Sequence, residues 1–288
     1  MSPLASRRTL IAGAAASLCS GLAAARNPFA AIEAKVGGRL GVFALDTATG
    51  AKLAYRADER FPMCSTFKAM AVAALLKRVD AGKERLDRFV PFGQADLLSY
   101  APVSKAHIAA GGMKLAELCA AAIEFSDNTA ANLILKSIGG PAGWTKFVRS
   151  LGDGASRLDR NEPTLNTSIP GDPRDTTTPA AMAHDLSATL LGQALSPASR
   201  DQLKTWMLAT QTGLARLRAG FPTAWQVGDK TGTGDHASTN DIAVAWTPRG
   251  PIVVACYLTG PEAATSAARE AAIADVGRVV AETFRPHG

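Results

Sequence analysis

Histidine and cysteine are scarce in this chain, with four residues of each among 288. None of the histidines belongs to an H-E-x-x-H motif or to a cluster with cysteine, so a protein-bound metal has little support. A G-x-S-x-G sequence is also lacking, and with it the nucleophile elbow of the α/β-hydrolases. We therefore expect neither a metal nor another cofactor, and any serine nucleophile here needs a base other than histidine.

The few cysteines do not describe a disulfide framework. Three of them lie beyond residue 25, at Cys64, Cys119 and Cys256, and this odd number has irregular spacing. We interpret them as buried thiols that pack as small apolar side chains. Pairing stays open as an alternative, because export leads to an oxidising compartment.

Long apolar runs are also missing from the body of the chain, so we expect no membrane span. Residues 1–25 differ, because Arg7 and Arg8 precede an apolar stretch that ends in three consecutive alanines. That arrangement is typical of a signal peptide, which is removed from the mature protein. We expect an exported protein that is periplasmic after cleavage and has no membrane association.

The route of export has two interpretations. Ser6 and the arginine pair resemble a twin-arginine signal, whereas a Sec signal with two arginines at its positive end is the alternative. Cys19 follows Leu18 rather than a small residue, which argues against a lipoprotein anchor.

Charge of one sign is not concentrated anywhere along the chain. The formal net charge is +6, from 31 basic and 25 acidic residues, and no basic block occurs. This gives no case for a nucleic-acid partner. The apolar fraction of 47% and the charged fraction of 19% are those of an ordinary soluble globular protein.

Strand signals occur at both ends of the chain, and helical signals lie between them. "RLGVFALDTATGAKLAYR" predicts two strands around a turn, and "AWQVGDKTGT", "NDIAVAWT" and "PIVVACYLTG" predict three more. Capped periodic segments such as "STFKAMAVAALLKRVDAG" predict helices. We therefore predict a mixed α/β lobe formed by residues 26–60 and 209–288, with an all-helical lobe of residues 61–208 inserted between its two parts.

A serine nucleophile with a lysine partner is available in "CSTFK". Ser65 and Lys68 are three residues apart, so on a helix their side chains lie on the same face. At a helix start the hydroxyl lies near unpaired backbone N–H groups, which favour developing negative charge. A lysine kept partly neutral by desolvation can accept the serine proton. On its own, S-x-x-K is expected by chance about once in a chain of this length.

Two further motifs add polar groups suited to acyl transfer. "SDN" opens a helical run and supplies the Ser126 hydroxyl and the Asn128 amide. "KTGT" lies on a predicted strand, where Lys230 and Thr231 can bind a carboxylate and Gly232 allows close approach of the backbone. Taken singly, each tripeptide is more often an ordinary surface segment than part of a functional site.

These three motifs, in this order, resemble the signature set of the serine penicillin-recognising enzymes and, within them, the class A β-lactamases. The resemblance covers essentially the whole mature chain and includes "FPMCSTFK", "SDNTAANL", "RNEPTLN", "IPGDPRDTTTP" and "GDKTGTG". It implies a mixed α/β (α+β) fold in which helices flank a five-stranded antiparallel sheet, with an all-α lobe beside it. It also implies a monomeric hydrolase of penicillins and cephalosporins that confers β-lactam resistance, with these small molecules as its partners.

The resemblance implies a role for each matching residue. Ser65 would attack the β-lactam carbonyl and become acylated, and the backbone N–H groups of Ser65 and Thr233 would bind the oxyanion. Lys68 would help to activate Ser65, and Ser126 would pass a proton to the departing ring nitrogen. Asn128 would hold the side-chain amide of the substrate. Lys230, Thr231 and Thr233 would meet its carboxylate, and Gly232, between them, is a further substrate-binding position.

The loop that contains "RNEPTLN" resembles the Ω-loop of the family, at about residues 157–175. The resemblance implies that Glu162 and Asn166 hold one water beside the acyl carbonyl, with Glu162 as its general base. Whether Lys68 or Glu162, acting through a water, is the base in acylation stays open.

Two structural details of this loop are also implied by the resemblance. Arg160 would pair with Asp175 across the neck of the loop. The bond between Glu162 and Pro163 would be cis, although most X-Pro bonds are trans.

Two positions have competing interpretations. Arg216 in "TGLARLRAGFP" resembles an arginine that supports the substrate carboxylate in some relatives, and the alternative is a solvated charge on a helix. Tyr100 in "SYAPV" resembles the aromatic residue at the site entrance, and the alternative is simple packing.

The chain also departs from parts of the family pattern. Gly234 follows Thr233, so Cys64 cannot form the active-site disulfide of some carbapenem-hydrolysing relatives, and we expect weak carbapenem hydrolysis. Cys119 matches one partner of another family disulfide, but the facing helix has alanines instead of the second cysteine. Both departures favour free thiols.

Two other functions share these motifs. A D,D-peptidase or transpeptidase of peptidoglycan synthesis has the same three signatures, but the loop around Glu162 argues against it. A non-catalytic β-lactam sensor would stay acylated, and it would ordinarily carry a membrane span and a signalling domain, neither of which is visible here.

Overall fold

The computed structural model describes residues 27–285, so the predicted signal peptide, residues 1–25, and His287 lie outside the described residues. Within the described range, the α-helices α1 to α9 span Pro28–Val36, Phe67–Asp80, Leu115–Glu124, Asn128–Ile138, Gly140–Ser150, Pro179–Leu190, Pro197–Leu208, Leu217–Gly220 and Ser266–Thr283. The strands β1 to β9 span Arg39–Asp46, Lys52–Tyr55, Phe61–Pro62, Phe89–Pro91, Gly112–Lys114, Thr176–Thr177, Gln226–Thr233, Thr239–Thr247 and Gly250–Thr259. None of the helices in residues 27–285 combines the length and apolarity needed to cross a membrane.

A five-stranded sheet forms the centre of the molecule, in the order β2-β1-β9-β8-β7. Every neighbouring pair is antiparallel, and β1 lies beside β9, with Phe43 opposite Ala255. The two ends of the chain therefore build one sheet. This confirms the predicted mixed α/β fold with a five-stranded antiparallel sheet.

Helices cover both faces of this sheet. Helices α1, α8 and α9 pack on one face, around a cluster that includes Val254, Ile273 and Val276. Helices α6 and α7 pack on the other face with the rest of the helical layer, where Val253 and Tyr257 join the larger core. Because β8 and β9 are covered on both sides, their sequences are nearly continuous apolar runs rather than alternating ones.

Helix α2 runs through the middle of the helical layer. All of its residues from Phe67 to Leu76 are buried, and most of them are alanine or aliphatic, as expected for a helix surrounded by protein. Trp144 of α5 donates from Nε1 to the carbonyl of Phe67 at 2.9 Å and fixes the start of α2. Lys68, one residue later, is consequently carried into the interior.

The prediction of an all-helical lobe over residues 61–208 was wrong in one respect. Strand β3 pairs with β6, and β4 pairs with β5, within this range. These strands have two or three residues each. Such short strands leave no periodic signal in a sequence, because alternation needs at least four residues to be recognised.

Two buried carboxylates face each other between α6 and the loop after α5. Asp185 and Asp153 are 0% and 4% exposed, and three of their four oxygens have no hydrogen-bond partner among the described side chains. Burial, and then the charge of Asp153, raises the pKa of Asp185 to about 9. Asp185 therefore keeps a proton in the folded protein that the unfolded chain releases near its ordinary pKa.

We predict that Asp185→Asn raises stability, and more so at high pH. Between pH 4 and 9 the folded state binds the extra proton, so stability falls as pH rises, by up to about 1.4 kcal/mol per pH unit for one proton. The substitution removes this dependence. Urea unfolding at pH 5, 6.5 and 8 measures it.

The control for this test is His184→Gln, because His184 Nδ1 lies 3.5 Å from Asp185 Oδ1 but its side chain is 55% exposed. In that variant the free energy of unfolding should depend on pH as it does in the wild type. Parallel pH profiles for Asp185→Asn and the wild type would contradict the conclusion that Asp185 keeps a proton in the folded protein.

Candidate active site

Ser65 lies in a 3-10 turn, Cys64–Thr66, that leads directly into α2, and it is 8% exposed. Cys64 has a φ of 47°, in the left-handed region that non-glycine residues adopt only at a cost. The surroundings impose this turn: Met63 N donates to the carbonyl of Asp175 at 2.9 Å, and Asn240 Nδ2 donates to the carbonyl of Met63 at 3.1 Å. The nucleophile is thus tied to β8 and to the Ω-loop.

Lys68 is fully buried, and oxygen atoms surround its amine. Nζ lies 3.0 Å from Glu162 Oε1, and it donates to Asn128 Oδ1 at 2.6 Å and to the carbonyl of Ser126 at 2.8 Å. Burial lowers the pKa of Lys68, and the Glu162 carboxylate partly opposes that change. Lys68 therefore releases its proton more readily than a solvated lysine does.

The Ser126 hydroxyl lies between two buried amines. Its Oγ accepts from Lys230 Nζ at 3.0 Å and from Lys68 Nζ at 3.3 Å. Burial, and then the neighbouring charge of Lys68, lowers the pKa of Lys230 well below its ordinary value. The Ser126 hydroxyl is consequently placed to receive a proton from either amine and to donate its own proton to another group.

Helix α4 positions the next group of side chains through its N-cap, Asp127. Its carboxylate accepts from Ala130 N at 2.9 Å and from Ser104 N at 2.8 Å, so it caps the helix and holds the preceding loop at once. Asn128 N donates to the carbonyl of Tyr100 at 3.0 Å. The ring of Tyr100 stands at the mouth of the cleft, and this residue is 50% exposed.

Glu162 reaches the nucleophile from the Ω-loop. Its Oε1 accepts from Ser65 Oγ at 3.3 Å, and its Oε2 accepts from Asn166 Nδ2 at 2.5 Å. Glu162 is 4% exposed, and the Glu162–Pro163 bond is cis, as predicted. One carboxylate therefore contacts the nucleophile, the Lys68 amine and an amide donor.

The predicted pair at the neck of the Ω-loop is present. Arg160 binds the buried carboxylate of Asp175 through Nε, and Arg160 N donates to Asp175 Oδ1 at 2.9 Å. Arg160 Nη1 also donates to Thr167 Oγ1 at 3.0 Å, across the loop. These contacts close the loop behind Glu162.

Asn132 was missed by the sequence reasoning, although it anchors Glu162. Its side chain accepts from Glu162 N at 3.0 Å and donates to the carbonyl of Glu162 at 2.9 Å. Asn132 lies four residues after Asn128 on α4 and therefore on the same helix face. That spacing was the available signal.

Strand β7 forms the opposite wall of the cleft. Thr231 Oγ1 lies 2.7 Å from the hydroxyl of Thr212, which sequence reasoning also missed. Gly232 is required by close packing, since an added Cβ would lie 2.6 Å from the carbonyl of Met63. The strand can approach the nucleophile turn only because glycine stands at this position.

Arg216 is not the solvated helix charge that was the alternative interpretation. It is 6% exposed, and its Nη1 donates to the carbonyls of Asn240 at 2.8 Å and Gly232 at 3.1 Å. Its Nη2 donates to Thr233 Oγ1 at 2.9 Å and lies 3.5 Å from Glu270. The guanidinium therefore supports the end of β7 from the side.

A cleft of about 510 Å³ joins these groups. Its lining residues are Ser65, Tyr100, Ser126, Asn128, Asn166, Thr212, Arg216, Thr231 and Thr233. Lys68, Glu162 and Lys230 lie beneath this surface, each in contact with a lining residue. The structure thus brings the predicted site residues together, apart from Arg160 and Asp175, which support the Ω-loop from behind.

A second cleft, of about 550 Å³, lies on the outer side of the Ω-loop, between residues 168–174 and the ends of β1 and β9. It is slightly larger, but it contains neither Ser65 nor either buried lysine. The chemistry belongs to the smaller cleft, because only there does a nucleophile meet groups that can move its proton.

The three thiols are buried and free in the part of the chain that the structure describes. Burial raises the pKa of Cys64 to about 12, so this thiol is neutral. An added Cβ at Gly234 would lie 2.7 Å from Cys64 Sγ and 2.6 Å from the carbonyl of Asn166. A side chain at position 234 would therefore collide with this thiol and with the Ω-loop, and glycine avoids both contacts.

This arrangement suits acyl transfer to an anionic substrate. The hydroxyl of Ser65 lies beside a carboxylate, and two amines of lowered pKa meet at Ser126. Arg216 brings a guanidinium, and Lys230 an amine, to the threonine-lined wall, where a carboxylate can be bound. Within residues 27–285 no group of three or more metal-binding side chains is assembled.

Comparisons with known sequences agree with this chemistry. A model of the Beta-lactamase enzyme family matches residues 24–284. The β-lactamase CTX-M-8 of Citrobacter amalonaticus is 49% identical over 260 residues, which cover 90% of this chain and 89% of that protein. The β-lactamase Toho-1 of Escherichia coli is 50% identical over 255 residues, which cover 88% of this chain and 87% of that protein.

Solved structures give the same result. An ancestral class A β-lactamase (GNCA) is 62% identical, has a TM-score of 0.86 and is matched over 88% of this chain and 98% of its own. The putative class A β-lactamase PenP of Rhodopseudomonas palustris is 56% identical, with a TM-score of 0.86 over 89% of this chain and 98% of its own. Similarity of this extent in both sequence and structure shows that the chain belongs to the class A β-lactamase family of hydrolases.

Proposed function

We propose that the protein hydrolyses the β-lactam amide bond of penicillins and cephalosporins through an acyl-enzyme on Ser65, and so confers β-lactam resistance. The observation that carries the proposal is the position of Glu162. Its carboxylate contacts the Ser65 hydroxyl at 3.3 Å and the Asn166 amide at 2.5 Å, so it is placed to hold a water beside an acylated Ser65.

Acylation forms a bond between Ser65 Oγ and the β-lactam carbonyl carbon, and the carbon–nitrogen bond of the ring then breaks. The backbone N–H groups of Ser65 and Thr233 stabilise the oxyanion. The proton of Ser65 is taken by Lys68, or by Glu162 through a water, and Ser126 delivers a proton to the ring nitrogen. The contacts of Ser126 with both buried amines support this relay.

Deacylation uses the Ω-loop. Glu162 and Asn166 hold a water beside the ester carbonyl, and Glu162 removes its proton as the water attacks. As the bond between the carbonyl carbon and Ser65 Oγ breaks, Glu162 returns the proton to Ser65 Oγ, and the open-ring product leaves. Asn132 keeps the Glu162 backbone in place through its two hydrogen bonds.

Substrate binding follows from the two walls of the cleft. Lys230, Thr231, Thr233 and Arg216 bind the substrate carboxylate, and the backbone at Gly232 lets the strand approach it. On the other wall Asn128 holds the side-chain amide, while Tyr100 packs against the substrate at the mouth. With a free Cys64 beside Gly234, we expect weak carbapenem turnover.

Export completes the proposal. The features of residues 1–25 support a signal peptide, a periplasmic mature enzyme without a membrane anchor, and the twin-arginine route. We expect the mature enzyme to act as a monomer.

We predict that Glu162→Ala leaves acylation by a penicillin at least partly intact and stalls the acyl-enzyme. Removal of a general base should slow deacylation by about 10²–10⁴-fold. Intact-protein mass spectrometry should show a persistent adduct on Ser65, and Ser65→Ala should show neither adduct nor turnover.

The same experiment separates the alternatives. Rapid turnover by Glu162→Ala would contradict the role of Glu162. A persistent adduct on the unsubstituted enzyme would instead favour a sensor, or a D,D-peptidase that is inhibited by penicillin.

We predict that Arg216→Ala raises KM for benzylpenicillin by about tenfold or more and changes kcat much less, because a charge-assisted contact to the substrate carboxylate is lost. Steady-state kinetics measures both constants. The matched control is Arg174→Ala, since Arg174 is an exposed arginine paired with Asp172 outside the cleft. An equal rise in KM in both variants would contradict the role assigned to Arg216.

We predict that replacing Arg7 and Arg8 together by lysine stops export of active enzyme, because the twin-arginine route requires the pair. Penicillinase activity in the periplasmic fraction and the penicillin resistance of the host measure export. Unchanged export would instead indicate the Sec route.

A further inference from the structure

The segment that carries Arg216 is held by two buried aspartates on neighbouring strands. Leu217 N donates to Asp241 Oδ2 of β8 at 3.0 Å, and Arg218 Nε donates to Asp229 Oδ1 of β7 at 2.9 Å. Both carboxylates are fully buried. They accept hydrogen bonds from Leu217 and Arg218, the two residues that directly follow Arg216.

Few backbone hydrogen bonds fix the chain at this point, although the Leu217 side chain is buried in the apolar cluster with Val254 and Ile273. Helix α8 has only four residues, and Arg216, its N-cap, has φ −103° and ψ −132° and makes no side-chain cap bond. Arg216 N donates to the carbonyl of Gly213 at 3.0 Å, within the same connecting segment. The hydrogen bond from Leu217 N to Asp241 therefore ties the backbone next to Arg216 directly to β8.

The direction of the Arg216 side chain depends on the hydrogen bond between Leu217 N and Asp241. Its guanidinium reaches the carbonyls of Gly232 and Asn240 and the hydroxyl of Thr233, at the end of β7. Asp241 lies opposite Thr231 in the register of β7 and β8, so it sits beneath the same wall of the cleft. A shift at Leu217 would move the guanidinium along this wall.

We propose that Asp241 is a positioning residue for substrate-carboxylate recognition: its hydrogen bond to Leu217 N directs Arg216 toward Thr233. The proposal rests on the proposed function, in which Arg216 and Thr233 bind the substrate carboxylate. Asp241 itself does not line the cleft and does not touch substrate.

Asp241 acts through its shape and its acceptor oxygen. Burial, and then the neighbouring charge of Asp229, raises the pKa of Asp241 well above its ordinary value. A neutral carboxamide of the same shape should therefore replace it. Asp241→Asn keeps an oxygen that accepts from Leu217 N, whereas Asp241→Ala removes it.

The test is a double-mutant cycle with benzylpenicillin on the full-length mature enzyme. Asp241→Ala should raise KM by about tenfold, as expected for a lost buried hydrogen bond, with kcat within a few-fold of wild type. Asp241→Asn should restore KM to within a few-fold of wild type. In an Arg216→Ala background, Asp241→Ala should raise KM no further, because Arg216 is the group through which it acts.

Three results would overturn the proposal. One is an unchanged KM in Asp241→Ala, another is an Asn variant as impaired as the Ala variant, and the third is a full additional effect in the Arg216→Ala background. Should Asp241→Ala fail to fold, Asp241→Leu takes its place, since it has similar shape and no acceptor. Turnover of benzylpenicillin by the wild type separates the proposed function from the role of Asp241. No turnover would refute the proposed function. Normal turnover, with additive effects of the two substitutions on KM, would refute only the role of Asp241.

Discussion

The active site depends on a lysine that is buried completely and yet contacts three segments of the chain. Lys68 lies on α2, and its amine meets Glu162 from the Ω-loop, Asn128 from α4 and the Ser126 carbonyl that precedes α4. A buried amine without such partners would be too costly to keep. The oxygens that stabilise Lys68 also belong to the reacting groups, so the packing of the helical layer and the chemistry share the same contacts.

The second lysine links this helical layer to the sheet. Lys230 extends from β7 to the Ser126 hydroxyl, so Ser126 joins the two walls of the cleft. Burial lowers the affinity of Lys230 for a proton, and the neighbouring charge of Lys68 lowers it further. A proton can therefore be passed between these groups without a histidine, and the histidines among residues 27–285 lie outside the cleft lining.

In the proposed mechanism, the Ω-loop allows the acyl-enzyme to be hydrolysed. Its neck is closed by Arg160 and Asp175, and Asn132 holds the backbone of Glu162, so a loop with little regular structure presents its carboxylate in a fixed place. Buried hydrogen bonds contribute to this order, together with the apolar packing of Leu158 and Leu165 in the core. Loops held in this way can carry precise chemistry despite their irregular backbone.

Much of the fold was predictable from the sequence, because the central strands and long helices are longer than one period of their apolar patterns. The strands of two or three residues, such as Phe61–Pro62, were not predictable, since they are shorter than that period. The buried state of Arg216 was not predictable either. Its neighbours in sequence are those of a surface helix, and only the approach of β7 and β8 covers it.

By itself, the sequence determined the chemical groups of the site, their order and the sheet made from both ends of the chain, because these follow from residue type and local pattern. Only the tertiary structure decided that Lys68 and Lys230 meet at one serine, that Asn132 anchors Glu162, and that Asp241 holds the backbone beside Arg216. The physical reason is that burial and hydrogen-bond partners depend on segments far apart in the chain. No local pattern records which of them will pack together.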